Sequence, residues 1–270
     1  MPTISVITIN YNNLTGLKQT VASVINQVGA DFEYLLIDGG SSDGSKEFIQ
    51  QNQHQFSYWV SEKDAGIYAA MNKGIDRAKG DYCLFLNSGD VLVNSDILNK
   101  VISLHRNESI LYGELIFDFG EGKEKLAKLP KQLNLLHLYS DNIWHPASFI
   151  KRNLLLSFGK YNETFSIAAD YEFFFYTLGI QKESSYYLDF PISKYASDGI
   201  SSLPENADRV MNERTRVHQK YLNRQQLKVL ENWKKYKSEA LANWISKRYF
   251  LNSVLDNLLA IYHKFRNKKW

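Results

Sequence analysis

Apolar and polar positions alternate in blocks along the first ninety residues. The β-rich run TISVITIN (3–10) gives way to NNLTGLKQTVASVINQ, where Leu14, Leu17, Val21, Val24 and Ile25 fall on one helical stripe. FEYLLID (32–38) predicts a second strand, GGSSDGS a turn and SKEFIQQNQHQ a short helix. FSYWVSE (56–62) predicts a third strand, AGIYAAMNKGIDRAK (65–79) a helix and DYCLFLN (81–87) a fourth strand. Strands that alternate with helices, and are mostly apolar throughout, predict a parallel sheet covered on both faces.

After Asp90 the rhythm changes. NSDILNKVISLHR predicts a capped helix, SILYGELIFDFG a strand, and the charged EGKEKLAK an exposed hairpin or loop. FSIAADYEFFFYTLG (165–179) predicts a mostly helical stretch and SSYYLDFPISKYA a strand. From Pro204 onward the pattern is helical and basic. The chain therefore divides into an α/β domain over 1–203 and a helical extension over 204–270.

Charge sharpens that division. Residues 205–270 carry 15 Lys/Arg against 6 Asp/Glu, whereas residues 1–204 carry 17 against 23. The overall +3 hides an acidic front and a basic tail. Within the tail, Leu251, Val254, Leu255, Leu258, Leu259, Tyr262 and Phe265 form one stripe, followed by Lys264, Arg266, Lys268, Lys269 and Trp270. Such a helix either lies on an anionic membrane surface or packs on protein, and the pattern leaves both open. No nucleic-acid-binding module accompanies the charge. The N-terminus does not read as a secretory signal, and no apolar run approaches the roughly 18 to 20 residues of a membrane span. A cytoplasmic protein, soluble or peripheral at the inner face of the membrane, is predicted. Cys83, alone in its apolar strand, reads as a small buried side chain. Oligomeric state is not readable, and a homo-oligomer stays open.

Each of the four strands ends in polar groups: Asn10-Tyr11-Asn12, Asp38-Gly39-Gly40, Glu62-Lys63-Asp64 and Asn87-Ser88-Gly89-Asp90. Parallel sheets bind ligands at the carboxyl ends of their strands, so these residues would share one rim. The first turn, NYNNLTG, lacks G-x-G-x-x-G, and no G-x-x-x-x-G-K-[ST] occurs, which excludes the common dinucleotide and P-loop modes. An acidic rim tolerates phosphate only with a divalent cation between them. Magnesium or manganese prefers oxygen and keeps water and phosphates in its shell, so Asp90 alone is a candidate metal ligand.

With SVITINYNN, LLIDGGSSDGS, SEKDAGIYAAMNKGIDRAKGDY, LFLNSGD and AADYE in this order, residues 3 to 202 resemble the family 2 glycosyltransferases, the inverting, nucleotide-sugar-dependent group with the GT-A fold. The resemblance implies a mostly parallel central sheet with flanking helices, and a role in bacterial capsule, O-antigen or exopolysaccharide synthesis. It implies that Thr8, Asn10 and Tyr11 line the nucleotide pocket and that Asp38 accepts a hydrogen bond from the base. Asp64 and the Gly66 to Lys73 segment, with Asn72, would shape the ribose and diphosphate side. Lys73 would either neutralise phosphate or sit as a plain surface lysine. Asn87 and Ser88 would contact the sugar or ribose, since the turn reads N-S-G-D where many members read D-x-D-D. Asp90 would hold Mn2+ or Mg2+, and Asp170 would be the general base, with Glu172 the fallback. Ala169 departs from the usual Glu. The donor would be a UDP-sugar and the acceptor a glycan or a lipid-linked oligosaccharide. His145 in DNIWHPASF would touch acceptor, diphosphate or metal, or serve structurally, and SDGIS (197–201) resembles the family's closing loop. Two rivals stand beside this reading: a non-catalytic nucleotide- or carbohydrate-binding relative, and a sugar-phosphate nucleotidyltransferase.

Overall fold

The computed structural model describes residues 3–196, Gly199 and 203–237. The loop 197–201, apart from Gly199, and the apolar stripe of 251–270 lie outside the described residues. The first half follows the predicted alternation: β1 (Ile4–Asn10), α1 (Leu14–Ile25), β2 (Phe32–Asp38), α2 (Ser45–Gln51), β3 (Tyr58–Ser61), α3 (Ile67–Arg77) and β4 (Tyr82–Asn87). There follow β5 (Val91–Leu92), α4 (Ile97–Ile102), β6 (Ile110–Asp118), β7 (Glu124–Ala127) and α5 (Leu135–Ser140). The chain continues with β8 (Ser148–Lys151), α6 (Arg152–Phe158), α7 (Ala169–Phe174), β9 (Ser185–Ala196), α8 (Ala207–Tyr221) and α9 (Arg224–Lys237).

The strands form one sheet in the order β3-β2-β1-β4-β8-β6-β9-β5, with β7 paired to β6 as the predicted hairpin. β1 to β4 are mutually parallel. β8 runs antiparallel to both β4 and β6, and ends the parallel half of the sheet.

Period-two alternation sends neighbouring side chains to opposite faces. On β1, Ile4 and Val6 join Leu17, Val21 and Val24 of α1, Ile49 of α2 and Ile97, Leu98 and Val101 of α4. Ile7 and Ile9 instead join Met71 and Ile75 of α3, together with residues of α5, α6 and α7. Close approach of α3 to β1 needs Gly74, where an added Cβ would lie 2.5 Å from Ile7 Cγ2. Cys83 is buried as predicted, and burial pushes its thiol up to about 12.

Three local expectations change. The helix read over NSDILNKVISLHR covers only Ile97–Ile102, and Asp96 makes no side-chain cap bond. The stretch 165–179 begins as a turn, becomes α7 only at Ala169, and continues as a π-helical segment, Phe175–Ile180. The loop read around His145 is a single 3-10 turn, His145–Ala147, that feeds directly into β8. The described part of the C-terminal extension lies against the α/β fold: Val217 and Leu222, with Leu230 of α9, sit in the same core as α3 and α7. No helix among the described residues is long and apolar enough to cross a membrane.

Candidate active site

Register places the polar strand ends side by side, with Asn10 opposite Asp38, Asp38 opposite Ser61 and Ile9 opposite Asn87. The rim loops are laced together. Asn13 caps α1 through the Gly16 N–H at 2.9 Å and donates to the Ser88 carbonyl at 3.0 Å. Asp43 accepts from the backbone of Leu14 and Ser45, which ties the starts of α1 and α2 together.

Asp38 is fully buried at the centre of this rim. Its carboxylate accepts Asn10 Nδ2 at 2.7 Å, Ser41 Oγ at 2.5 Å, the Ser41 N–H at 3.0 Å and Ser61 Oγ at 2.6 Å. Burial opposes the charge, yet the bonds from Ser41, Ser61 and Asn10 together outweigh it and hold the carboxyl below its usual range. Four internal donors occupy about all the acceptor directions a carboxylate has. In this geometry Asp38 organises the rim. Asn10 completes the link by accepting Ser88 Oγ at 2.7 Å. Thr8 lies below the rim, buried against the Tyr34 hydroxyl at 3.0 Å.

Beside this anchor is an open wall. The Tyr11 ring is 69% exposed. A Cβ on Gly39 would lie 3.2 Å from Tyr11 Cδ2 and 3.5 Å from Asp64 Oδ2, so the bare glycine keeps the space between ring and carboxylate clear. Lys73 bridges Asp64 and Glu62, reaching the latter at 2.7 Å. Gly66 starts α3 with φ of 138°, a conformation open to glycine. Asn72 faces away from the rim. Its amide donates to the Tyr161 carbonyl and Glu163, both at 2.8 Å, and accepts the Tyr161 N–H at 2.9 Å.

Asp170 is buried at the start of α7. Its Oδ1 faces the Tyr68 hydroxyl at 2.9 Å and its Oδ2 faces His145 Nδ1 at 3.3 Å. Burial pushes the Asp170 carboxyl up, but the hydrogen bond and charge of His145, with Tyr68, bring it below the ordinary value. Tyr68 also donates to the Ile167 carbonyl at 2.6 Å, so one hydroxyl proton serves two acceptors. Burial and Asp170 push the Tyr68 hydroxyl far above its ordinary pKa.

His145 connects this acid to the donor-side turn, with Nε2 lying 3.2 Å from Asn87 Nδ2. An ionised carboxylate only accepts, so Nδ1 carries the proton toward Asp170. The run Asn87–His145–Asp170–Tyr68 thus joins the end of β4 to the first turn of α3. Glu172 lies elsewhere: it is fully buried, and its Oε1 accepts Lys220 Nζ at 2.7 Å and Tyr221 at 3.1 Å. It anchors α8 to α7.

The cation question turns on oxygen chemistry. Asp90 is 2% exposed, and its Oδ2 accepts the Asn87 N–H at 3.0 Å. The buried Asn87 Oδ1 has no hydrogen-bond partner. No group of three or more His, Cys, Asp or Glu converges among the described residues. The Asp90 carboxylate and the buried Asn87 Oδ1 of the same turn are oxygens of the kind that a hard cation takes together with water and phosphate, and they do not form a closed protein cage.

Ser61 carries no signal for this role in the sequence. Ser41 carries one, three residues after Asp38 in a glycine turn where Asx-type bonds form. Tyr68 lies within SEKDAGIYAAMNKGIDRAKGDY, but its inward direction depends on α3 packing.

Residues 5–164 match the model of the family described as Glycosyl transferase family 2. Over 180 residues the chain is 36% identical to an uncharacterized glycosyltransferase of Mycobacterium tuberculosis, covering 64% of this chain and 67% of that one. Over 183 residues it is 32% identical to a PGL/p-HBAD biosynthesis glycosyltransferase of Mycobacterium bovis, covering 64% and 68%. Among solved structures it is similar to S. aureus TarS 1-349 in complex with UDP, with TM-score 0.63, 17% identity and coverage of 89% and 73%. The mannosyltransferase PcManGT from Pyrobaculum calidifontis, in complex with GDP-Man and Mn2+, gives TM-score 0.54 at 11% identity, covering 99% and 88%. At these identities the structural likeness carries the fold.

Proposed function

The chain belongs to glycosyl transferase family 2, and from that premise we propose that it transfers a hexosyl or N-acetylhexosaminyl group from a UDP-sugar to a hydroxyl of a glycan or lipid-linked acceptor, with inversion. The observation that carries this reading is the buried Asp170, held between His145 and Tyr68 and joined through His145 to the turn that ends β4. The chain's relationship to a glycosyltransferase of PGL/p-HBAD biosynthesis supports a surface glycan as the product class.

In this reading the base of the nucleotide lies along the wall of Tyr11, Gly39 and Asp64, with Asp38 holding that wall in register. Asn87 and Ser88 present neutral polar groups to the sugar. Magnesium or manganese, bound at Asp90 together with the donor, would stabilise negative charge on the diphosphate. Asp170 takes the proton of the acceptor hydroxyl while that oxygen bonds to the anomeric carbon. The bond from that carbon to the diphosphate oxygen breaks, and UDP departs. His145 and Tyr68 keep the carboxylate ionised and oriented before the proton arrives. Next to His145, Trp144 meets Phe117 edge to face at 5.8 Å, and Phe117 stacks with Phe119, which is 56% exposed. This aromatic face offers an acceptor a place to stack. Action on lipid-linked acceptors would place the protein at the cytoplasmic face of the membrane, with the basic tail as its contact.

The test is a thermal-shift series of UDP, GDP and TDP with and without manganese, followed by UDP release from a panel of UDP-sugars. UDP should stabilise most, and more so with manganese. Stabilisation by GDP or TDP but not UDP would overturn the donor assignment.

A further inference from the structure

Immediately before α7, Ser166, Ile167 and Ala168 present three consecutive backbone N–H groups to one carboxylate. That carboxylate comes from α8. Glu213 Oε1 accepts the Ser166 N–H at 2.9 Å and Ser166 Oγ at 2.7 Å. Its Oε2 accepts the Ile167 and Ala168 N–H groups, each at 2.9 Å. Glu213 is buried, and although burial opposes its charge, Ser166 and the three N–H groups hold its carboxyl below the ordinary value.

The four N–H groups at a helix start need partners, usually from a side chain at the cap. Ala168 occupies that position and has none to offer. Of the helix-start groups Glu213 takes only the Ala168 N–H, and its other two backbone donors, Ser166 and Ile167, belong to the turn that leads into α7. A carboxylate from another helix on this turn fixes where the start of α7 lies relative to α8. The Ile167 carbonyl in this turn accepts Tyr68, and Asp170 follows three residues later in contact with the same hydroxyl. Further ties hold α7 to α8, from Lys220 and Tyr221 to Glu172 at 2.7 and 3.1 Å and between Tyr171 and His218 at 2.6 Å.

We propose that Glu213 is a positioning residue for Asp170, acting through the 166–168 turn, so that transfer depends on a helix lying outside the family-matched residues 5–164. The proposal rests on the reading of Asp170 as general base. Losing the clamp displaces the carboxylate from His145 and Tyr68 without touching the nucleotide wall.

The test uses the full chain with Glu213→Gln, in which an amide NH2 faces N–H donors. Turnover of the UDP-sugar that is active in the panel should fall about tenfold to a hundredfold, the scale of an ångström-sized misplacement. UDP affinity should hold within about twofold, a change too small to signal a lost contact. In Asp170→Asn the same substitution should cause no further loss of turnover. A substrate-free readout is the His145 Nδ1–H resonance, assigned with His145→Gln, which should move in Glu213→Gln toward its position in Asp170→Asn. If Glu213→Gln does not fold, Ser166→Ala removes one of the four bonds and should shift the resonance the same way by less. An unmoved His145 signal in the folded variant, with lowered melting temperature alone, overturns the proposal. Wild-type turnover in Asp170→Asn would instead remove the base assignment, while the movement of the His145 signal still reports on the clamp.

Discussion

Replacing Asp170 with Asn changes the charge of one buried group and little of its shape. Two contacts are affected. Asn Oδ1 can still accept Tyr68, which stands at 2.9 Å from the carboxylate. The His145 contact, at 3.3 Å, changes from charge-assisted to neutral. His145 can adapt by moving its proton to Nε2, where a flipped Asn87 amide would accept it through the oxygen that now lacks a partner. A hydrogen bond to a charged group contributes about 1.5–3 kcal/mol, and much of this is retained, so the stability loss should be about 1–2 kcal/mol. For a chain of this size that is a melting-temperature drop of roughly 2–8 °C. Catalysis should suffer far more. General base assistance contributes about 100-fold to 10,000-fold, or about 3–5 kcal/mol in the barrier. The assay is UDP release at saturating donor, paired with calorimetric UDP affinity, which should not change because the Asp170 carboxylate bonds Tyr68 and His145 and neither Tyr11, Gly39 nor Asp64. Turnover within about threefold of wild type would refute the base assignment, since general base catalysis cannot be worth so little. A collapse of UDP affinity together with turnover would refute the separation of the two walls.

Other outcomes follow from the same geometry. Gly39→Val should weaken UDP binding by at least about tenfold with little change in melting temperature, because its side chain fills space 3.2 Å from the Tyr11 ring; calorimetry checks both. Gly74→Ala should destabilise by about 1–3 kcal/mol in urea titration, since its methyl group would meet Ile7 at 2.5 Å in the core. Asp38, Asp170 and Glu213 all have folded-state pKa values below ordinary. Their stabilisation is therefore complete above the unfolded values, about pH 4, and is lost as pH falls through the lower folded values. The urea-denaturation gap between wild type and Glu213→Gln should accordingly narrow on acidification from pH 7 to pH 3, and a pH-independent gap would contradict the buried carboxylate cap. Chelation with EDTA should lower UDP affinity if a cation enters with the donor at Asp90, and unchanged calorimetry would remove the cation from donor binding.

Much of the parallel half was legible because its signals are local. A strand such as TISVITIN and the stripe Leu14, Leu17, Val21 report their burial through period alone. The polar strand ends could be assigned to one rim because parallel strands must end together. Other features had no such signal. β8 is four residues long, and its place between β4 and β6 comes from pairing with strands far along the chain, as between Leu84 and Phe149 and between Ile110 and Ile150. The turn over Ser166–Ala168 has a helical composition, and its departure from a helix depends on Glu213, far along the chain, whose carboxylate takes three consecutive N–H groups.

The one-dimensional pattern by itself settled the alternation of strands and helices, the burial of both sheet faces and the acids that would share a rim, because each follows from spacing within a few residues. Which of those polar groups face the cleft was decided by tertiary structure. Asp38 turned inward to four donors, Asn72 to the 161–163 loop and Glu172 to α8, while Asp170 met His145 and Tyr68. A hydrogen-bond partner depends on distance through space, and distance through space is set only when the sheet and its helices have closed on one another.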